Sequence, residues 1–144
     1  MTSRIEPHRV SAHNTSKHSE NKMHDDTVAK RYGFVGGLVP GVDVMAYMMH
    51  LPVAKWGRAF LERGLIEARF VKPVYDGEIT DVTGEESNGV LAIRVESRGE
   101  LCATGTASLP AVAPSFSLSD FVEVAAVAER KPVNATSYAL GKWL

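Results

Sequence analysis

The sequence predicts an α+β domain in which an antiparallel sheet wraps one buried helix, and three observations carry that prediction. Residues 42–51 (VDVMAYMMHL) are apolar almost all the way round a helix, the pattern of an element buried on every side. After Gly64 the apolar period changes from the helical value to two. Asp76-Gly77 and Asn88-Gly89, both strong turn dipeptides, then cut the period-two stretch into hairpin-sized pieces. Helix followed by a run of strands is an α+β layout.

The composition limits the partners. At 144 residues the chain has the size of one domain with a real core, and 44% apolar against 23% charged residues excludes a disordered class. Sixteen basic side chains nearly cancel seventeen acidic ones, so no global field draws the chain to nucleic acid. Cys102 is the sole cysteine, which excludes an internal disulfide framework and a Cys-rich zinc site and points to a reducing compartment. The first residues, MTSRIEPH, hold no apolar signal core. The most apolar stretch, 38–53, is interrupted by Asp43, His50 and Pro52 and falls short of the roughly 20 residues a bilayer span needs. A soluble, cytoplasmic protein with no membrane partner is expected.

In chain order, residues 10–12 suggest a short first strand, and residues 24–32 a short helix with Asp25 and Asp26 in its first turn, where negative charge suits the helix dipole. Gly33, Gly36 and Gly37 break it. Leu38-Val39-Pro40-Gly41 opens the main helix, with Pro40 in its first turn. Pro52 is expected to kink or restart it, Val53, Trp56 and Phe60 continue its apolar stripe, and Gly64 stops it. Four strands in a meander are expected next. They lie over 65–72 with Ile66, Ala68 and Phe70 on one face, over 78–84 with a bulge, over 90–97 with Leu91, Ile93 and Val95 inward, and over 101–109. The small Ala103, Gly105 and Ala107 of the last would let a helix approach closely. The fold domain is placed at 1–109, with a linker-like extension over 110–144. In that extension an amphipathic helix is expected over 118–129, with Ser117 and Asp120 as a capping box.

Two polar constellations converge on the start of the main helix. The first is Ser19-Glu20-Asn21-Lys22-Met23-His24-Asp25-Asp26, where a histidine within reach of acids suits a general base near neutral pH. A solvated loop with a helix cap has the same composition. The second is Gly36-Gly37-Leu38-Val39-Pro40-Gly41, where glycines let backbone approach a ligand and first-turn N–H groups bind a polarised carbonyl. A flexible helix entry reads the same way. Together, a base and an oxyanion hole suit enolisation or hydration of an acyl thioester. His50 is expected in the core or a pocket wall, Cys102 as a packing residue. His8, His13, His18 and His24 have no zinc spacing, so no metal is expected. Met45, Met48 and Met49 suit an acyl tunnel and core packing equally.

The order and spacing of Ser19-x-Asn21-x-x-His24, then Phe34-x-Gly36-Gly37-Leu38-Val39-Pro40-Gly41, then Phe70-Val71-Lys72-Pro73-Val74-x-x-Gly77-Glu78 resembles the MaoC-like family of (R)-specific enoyl-CoA hydratases and acyl dehydratases. The resemblance runs from about residue 10 to residue 109. It implies the hotdog fold, a long helix held in a curved antiparallel sheet, and a homodimer or double hotdog with the acyl chain in a cleft between two units. It implies that His24 and Asn21 match the histidine and asparagine of the family's Asp-x-Asn-Pro-x-His motif, and that Gly41 is the oxyanion donor. Ser19 stands where the family has its catalytic aspartate, Lys22 where it has proline, and Pro40 where it has His or Gln. A serine hydroxyl has no accessible proton equilibrium near neutrality, and losing one general acid–base partner costs about 10²–10⁴-fold in rate. Glu20 or Asp25 would have to replace it.

The resulting expectation is a lyase acting on an enoyl-CoA or related acyl thioester, with His24, Asn21, Glu20 and Ser19 as catalytic candidates. Gly37, Gly41, Leu38, Met45 and Met49 are the substrate-binding candidates. No cofactor is expected, the CoA or acyl carrier being part of the substrate. A non-catalytic acyl-thioester-binding subunit is the alternative, and a thioesterase the third.

Overall fold

The computed structural model describes residues 3–20 and 22–126. The described residues fall in two units, Met1–Pro114 and Ser115–Leu144.

The first unit opens with β1 (Ser3–Ser11), far longer than the three residues expected. A 3₁₀ turn over Lys22–His24 leads into α1 (Asp26–Arg31). That helix starts later than expected because Asp25 is extended and caps it, accepting the N–H groups of Thr27 at 2.9 Å and Val28 at 3.0 Å. Pro40 is the N-cap of α2 (Gly41–Trp56), so the helix begins one residue after it.

Pro52 neither ends nor restarts α2. It is buried inside the helix, where its missing N–H removes a single bond. The break comes at Gly57, whose φ of 58° and ψ of −143° only glycine adopts readily, and α3 (Arg58–Arg63) follows, ended by Gly64. Nor is α2 buried on every side. Val42, Ala46, His50 and Ala54, four residues apart, form an exposed stripe, with Val42 at 76% exposure. Met48 and Leu51 on the opposite side are fully buried.

The strands are β2 (Leu65–Phe70), β3 (Ile79–Ser87), β4 (Val90–Ser97) and β5 (Glu100–Ser108), in one antiparallel sheet of order β1-β3-β4-β5-β2. Only β3, β4 and β5 form a meander. Contrary to the expected four-strand meander, β2 pairs with β5, Ala68 facing Gly105, and lies at the far edge. Residues 71–78 make the crossing. They are too many for a tight turn, and Val39 N–H to the Val74 carbonyl (2.9 Å) ties them to the entrance of α2.

The expected bulge in β3 belongs to its neighbour. Between Ile5 and His8, β1 spends three steps against two on β3 (Gly84 to Val82), and Pro7, which has no N–H to give the ladder, falls inside that irregularity. A second bulge makes Cys102 the extra residue of β5 opposite Val95 and Glu96. Its freed carbonyl accepts Val71 N–H (2.9 Å) and Lys72 N–H (3.2 Å), fixing the start of the crossing segment. The Cys102 thiol is buried, and burial pushes its pKa up, which suits packing rather than reactivity.

The core sits between α2 and one sheet face. Val82, Leu91, Ile93 and Val95 meet Met48 and Leu51 there, while β4 alternates strictly between buried and exposed positions. Gly105 is required here, since a Cβ on it would press against the backbone carbonyl oxygen of Glu67 on β2 as well as lie 2.6 Å from Met48 Cε. The other sheet face is polar and carries the Arg9–Asp81 pair at 2.7 Å and the Arg94–Glu96 pair at 3.0 Å.

In the second unit, Ser117 and Asp120 form the expected capping box on a 3₁₀ turn over Leu118–Asp120. The helix stops there. Residues 121–126 are not helical, and Phe121, Val122 and Val124 are exposed, so no buried face supports a helix too short to stand alone. Residues 127–129 of the expected helix lie outside the described residues.

Candidate functional site

His24 ends the 3₁₀ turn and points at the backbone before α2. Its Nδ1 lies 2.7 Å from the Leu38 carbonyl oxygen. A carbonyl only accepts, so Nδ1 carries the proton, and in the neutral ring Nε2 holds the lone pair that a general base uses.

The loop around His24 is held by residues the sequence reading did not single out for chemistry. Asn14 is 3% exposed and donates its Nδ2 to the His24 carbonyl at 2.7 Å, while its Oδ1 accepts Ser16 N–H at 3.0 Å. Its own N–H goes to Asp76 Oδ1 at 2.8 Å, and Lys17 Nζ reaches Asp76 Oδ2 at 3.2 Å. The Asn14 N–H is the main cause that holds the Asp76 carboxyl below the usual range, with Lys17 adding to it. On α2, Asp43 accepts Thr15 Oγ1 at 2.7 Å, and the Tyr47 hydroxyl accepts His13 N–H at 2.9 Å. The signal available for Asp43 was a lone acid in an apolar helix; buried Asn14 gave none.

Asp26 Oδ1 accepts Gly37 N–H at 2.6 Å, so this amide is already committed inside the protein. Gly37 is buried, and a Cβ there would lie 2.6 Å from the His24 carbonyl oxygen. Pro40 offers no side-chain cap, so no capping side chain covers the first-turn N–H groups of α2, Gly41 first.

Gly41 stands between two open apolar clefts. One, of about 360 Å³, is lined by Phe34, Leu38, Val39, Gly41, Val44 and Phe70 among others. The second, of about 430 Å³, is lined by Gly41, Val42, Met45, Ala68 and Phe70. The Phe70 ring packs beside Gly41, 3.7–3.9 Å from where a Cβ would stand, and borders both clefts. Thus Gly41, Leu38 and Met45 line apolar space, and His24 is bonded to the carbonyl of one wall residue. Met49 packs half-buried against the core instead.

The remaining candidates are spread out. Ser19 is half-buried, with its N–H on the Ser16 carbonyl at 2.9 Å, and Glu20 is exposed. Asp25 spends its Oδ1 on capping α1. Asn21 lies outside the described residues. His50 is not in the core: it is exposed, and its ring stacks on His8 of β1 at a centroid distance of 3.8 Å and 13° between planes. Among the described residues no three His, Cys, Asp or Glu side chains cluster to hold a metal ion, and no helix is long and apolar enough to cross a membrane.

No protein-family model matches the chain, and no curated protein matches it. Solved structures do. The R-hydratase PhaJ1 from Pseudomonas aeruginosa is 19% identical, with a TM-score of 0.56 over 93% of this chain and 90% of its own. A MaoC-like dehydratase from Phytophthora capsici is 18% identical, with a TM-score of 0.63 over 77% of this chain and 46% of its own, so the match spans about half of that protein. The ChsH1–ChsH2 complex from Mycobacterium tuberculosis supplies a chain 15% identical, with a TM-score of 0.57 over 75% of this chain and 96% of its own. At these identities the likeness establishes the fold. It is the hotdog fold, with α2 as the enclosed helix.

Proposed function

We propose that this chain binds an acyl thioester at the entrance of α2 and hydrates a 2-enoyl thioester there, or dehydrates its 3-hydroxy counterpart, slowly. The observation that carries this reading is His24, fixed by the Leu38 carbonyl at the backbone that lines the apolar cleft and ends at Gly41. In the hydration direction, His24 Nε2 takes a proton from water while the hydroxide oxygen bonds to C3. The Gly41 N–H holds the negative thioester oxygen, and the imidazolium returns its proton to C2, so one water is added in all. The CoA or acyl carrier is part of the substrate and no cofactor takes part. Asn21 would orient the water or the ring, and Ser19, with no acid–base chemistry near neutrality, leaves the rate about 10²–10⁴-fold below that of a complete dyad. The reading includes a homodimer, and a cytoplasmic setting suggested by one buried thiol.

A non-catalytic acyl-binding subunit is the second reading, favoured by where the acids go. Asp25 caps α1, Asp26 takes the Gly37 amide and Glu20 is exposed.

One set of assays separates these. Slow loss of enoyl absorbance with a short 2-enoyl-CoA, abolished in His24→Ala and raised at least about tenfold in Ser19→Asp, is the expected result. Binding of acyl-CoA with no turnover in either form selects the scaffold, and release of free thiol selects a thioesterase. No binding at all overturns the acyl-thioester reading.

A further inference from the structure

Neither Asn14 nor Asp76 is among the positions that carry the family resemblance, and Asp76 falls on one that the third motif leaves open. Both are nevertheless tied to His24. Buried Asn14 donates its Nδ2 to the His24 carbonyl at 2.7 Å and its own N–H to Asp76 Oδ1 at 2.8 Å. Asp76 in turn donates its backbone N–H to the Gly37 carbonyl at 3.2 Å. The next residue, Leu38, holds His24 Nδ1 at 2.7 Å. Hydrogen bonds thus close a ring that runs from Asn14 to His24, on to Leu38 and Gly37, then to Asp76 and back to Asn14. The ring has no slack. A Cβ on Gly37 would meet the His24 carbonyl oxygen, Asp26 Oδ1 and, at 3.2 Å, Asn14 Nδ2, so these groups are packed against one another. Outside the ring, Val39 N–H to the Val74 carbonyl (2.9 Å) and Gly77 N–H to the Ala12 carbonyl (2.7 Å) brace it at both ends of Asp76.

We propose that Asn14 and Asp76 are the positioning residues of His24: Asn14 clasps the turn that carries the imidazole to the crossing segment, Asp76 holds Asn14, and the ring they close keeps the Leu38 carbonyl where it fixes the proton on Nδ1. This rests on the reading of His24 as the base and adds what sets its place and tautomer. Which nitrogen of a histidine carries the proton is decided by the hydrogen bond that nitrogen makes. Here the acceptor is a backbone carbonyl, and it stays in reach only while Gly37 and Leu38 stay fixed to Asp76. A buried carbonyl that loses its donor is costly, so without the Asn14 amide the His24 turn shifts to find another. The clasp also sets the base against the substrate. The crossing segment lines the 360 Å³ cleft with Val71, Pro73 and Val74, so His24 is registered to the wall that the acyl chain would touch.

Imidazole nitrogen NMR on the full chain, at a pH where the histidines are neutral, tests this, with the His24 signals assigned by their loss in His24→Ala. The wild-type signals are expected to be those of the Nδ1–H tautomer. In Asn14→Ala and in Asp76→Ala they are expected to move toward a mixture of both tautomers. In the same variants kcat for a short 2-enoyl-CoA is expected to fall about tenfold or more with KM held, as for a misplaced catalytic group. Asp76→Asn keeps an acceptor for the Asn14 N–H and is expected to keep the tautomer, which a role resting on the Asp76 charge would not allow. Circular dichroism checks the fold of each variant. Asp76→Ala, at a half-buried loop position, carries the test alone if Asn14→Ala does not fold. A His24 tautomer unchanged in the alanine variants overturns the clasp whether or not the wild type turns over, and a changed tautomer with unchanged kcat overturns the positioning role. A folded wild type with no turnover removes the hydratase reading alone, and the tautomer then decides the clasp.

Discussion

Gly37 was singled out as a glycine that lets backbone approach a ligand, yet the backbone it approaches is the protein's own. Its N–H is bonded to Asp26, and a methyl group on it would press against the His24 carbonyl and, at 2.8 Å, Asp26 Oδ1. The His24 carbonyl is backbone and cannot swing aside, and Asp26 Oδ1 is held by the Gly37 N–H itself. Gly37→Ala is therefore expected to displace the His24 turn and lower enoyl-CoA turnover at least about tenfold, since small misplacements of a catalytic group cost about that much or more. The fold should survive, because the core residues lie elsewhere. Parallel measurement of turnover and thermal midpoint checks this; unchanged turnover would show that His24 takes no part. The residue scale is also where the sequence was least legible. His24, Leu38 and Gly41 follow from order and spacing along the chain. The bonds that hold them run from Asn14 to the His24 carbonyl, from Gly37 to Asp26 and, only after the chain has crossed the sheet, from Asn14 to Asp76, and no local pattern announces them.

At the scale of elements, legibility followed periodicity. The alternation in β4 and the turn glycines Gly77 and Gly89, both at positive φ, fall where the sequence puts them. The errors came where one residue type had two structural uses. Pro52 fits inside α2 at the loss of one bond, and an exposed apolar stripe on α2 reads like a buried one until the sheet covers only the other side. His50 belongs to that stripe, and its stack on His8 joins α2 to the edge strand β1. The His8 pKa is lowered below its ordinary 6.5, first by burial and then by the charge of His50, and among the described residues no other charged side chain contributes. The folded state thus binds this proton less readily than the unfolded chain. The stack contributes stability in full above about pH 6.5 and loses it as the pH falls below that value. Thermal midpoints at pH 8 and pH 5.5 are expected to differ less in His8→Phe, which keeps a flat ring and has nothing to titrate. An equal difference in both proteins would assign the acid sensitivity to other groups.

The whole molecule carries more apolar surface than one copy can cover. Val42 on α2, and Phe70 and Val71 at the β2 edge, border the clefts where the acyl chain of the proposed substrate would lie, and Leu65 is half exposed on the same edge. A fold with a one-sided sheet leaves such a margin because α2 and its flanking loops cover the centre of the sheet better than its last strand. If two copies pair over this margin, association and folding are linked: whatever binds only the folded chain raises its stability by mass action, here a second copy. The thermal midpoint of the wild-type chain is then expected to climb as protein concentration is raised a hundredfold, because free subunits become scarce. Scanning calorimetry or fluorescence-detected melting at matched pH and salt reads this. A midpoint independent of concentration in the wild type would mean that one chain is stable without cover on its β2 edge, and the half-exposed Leu65, Phe70 and Val71 would then need another explanation.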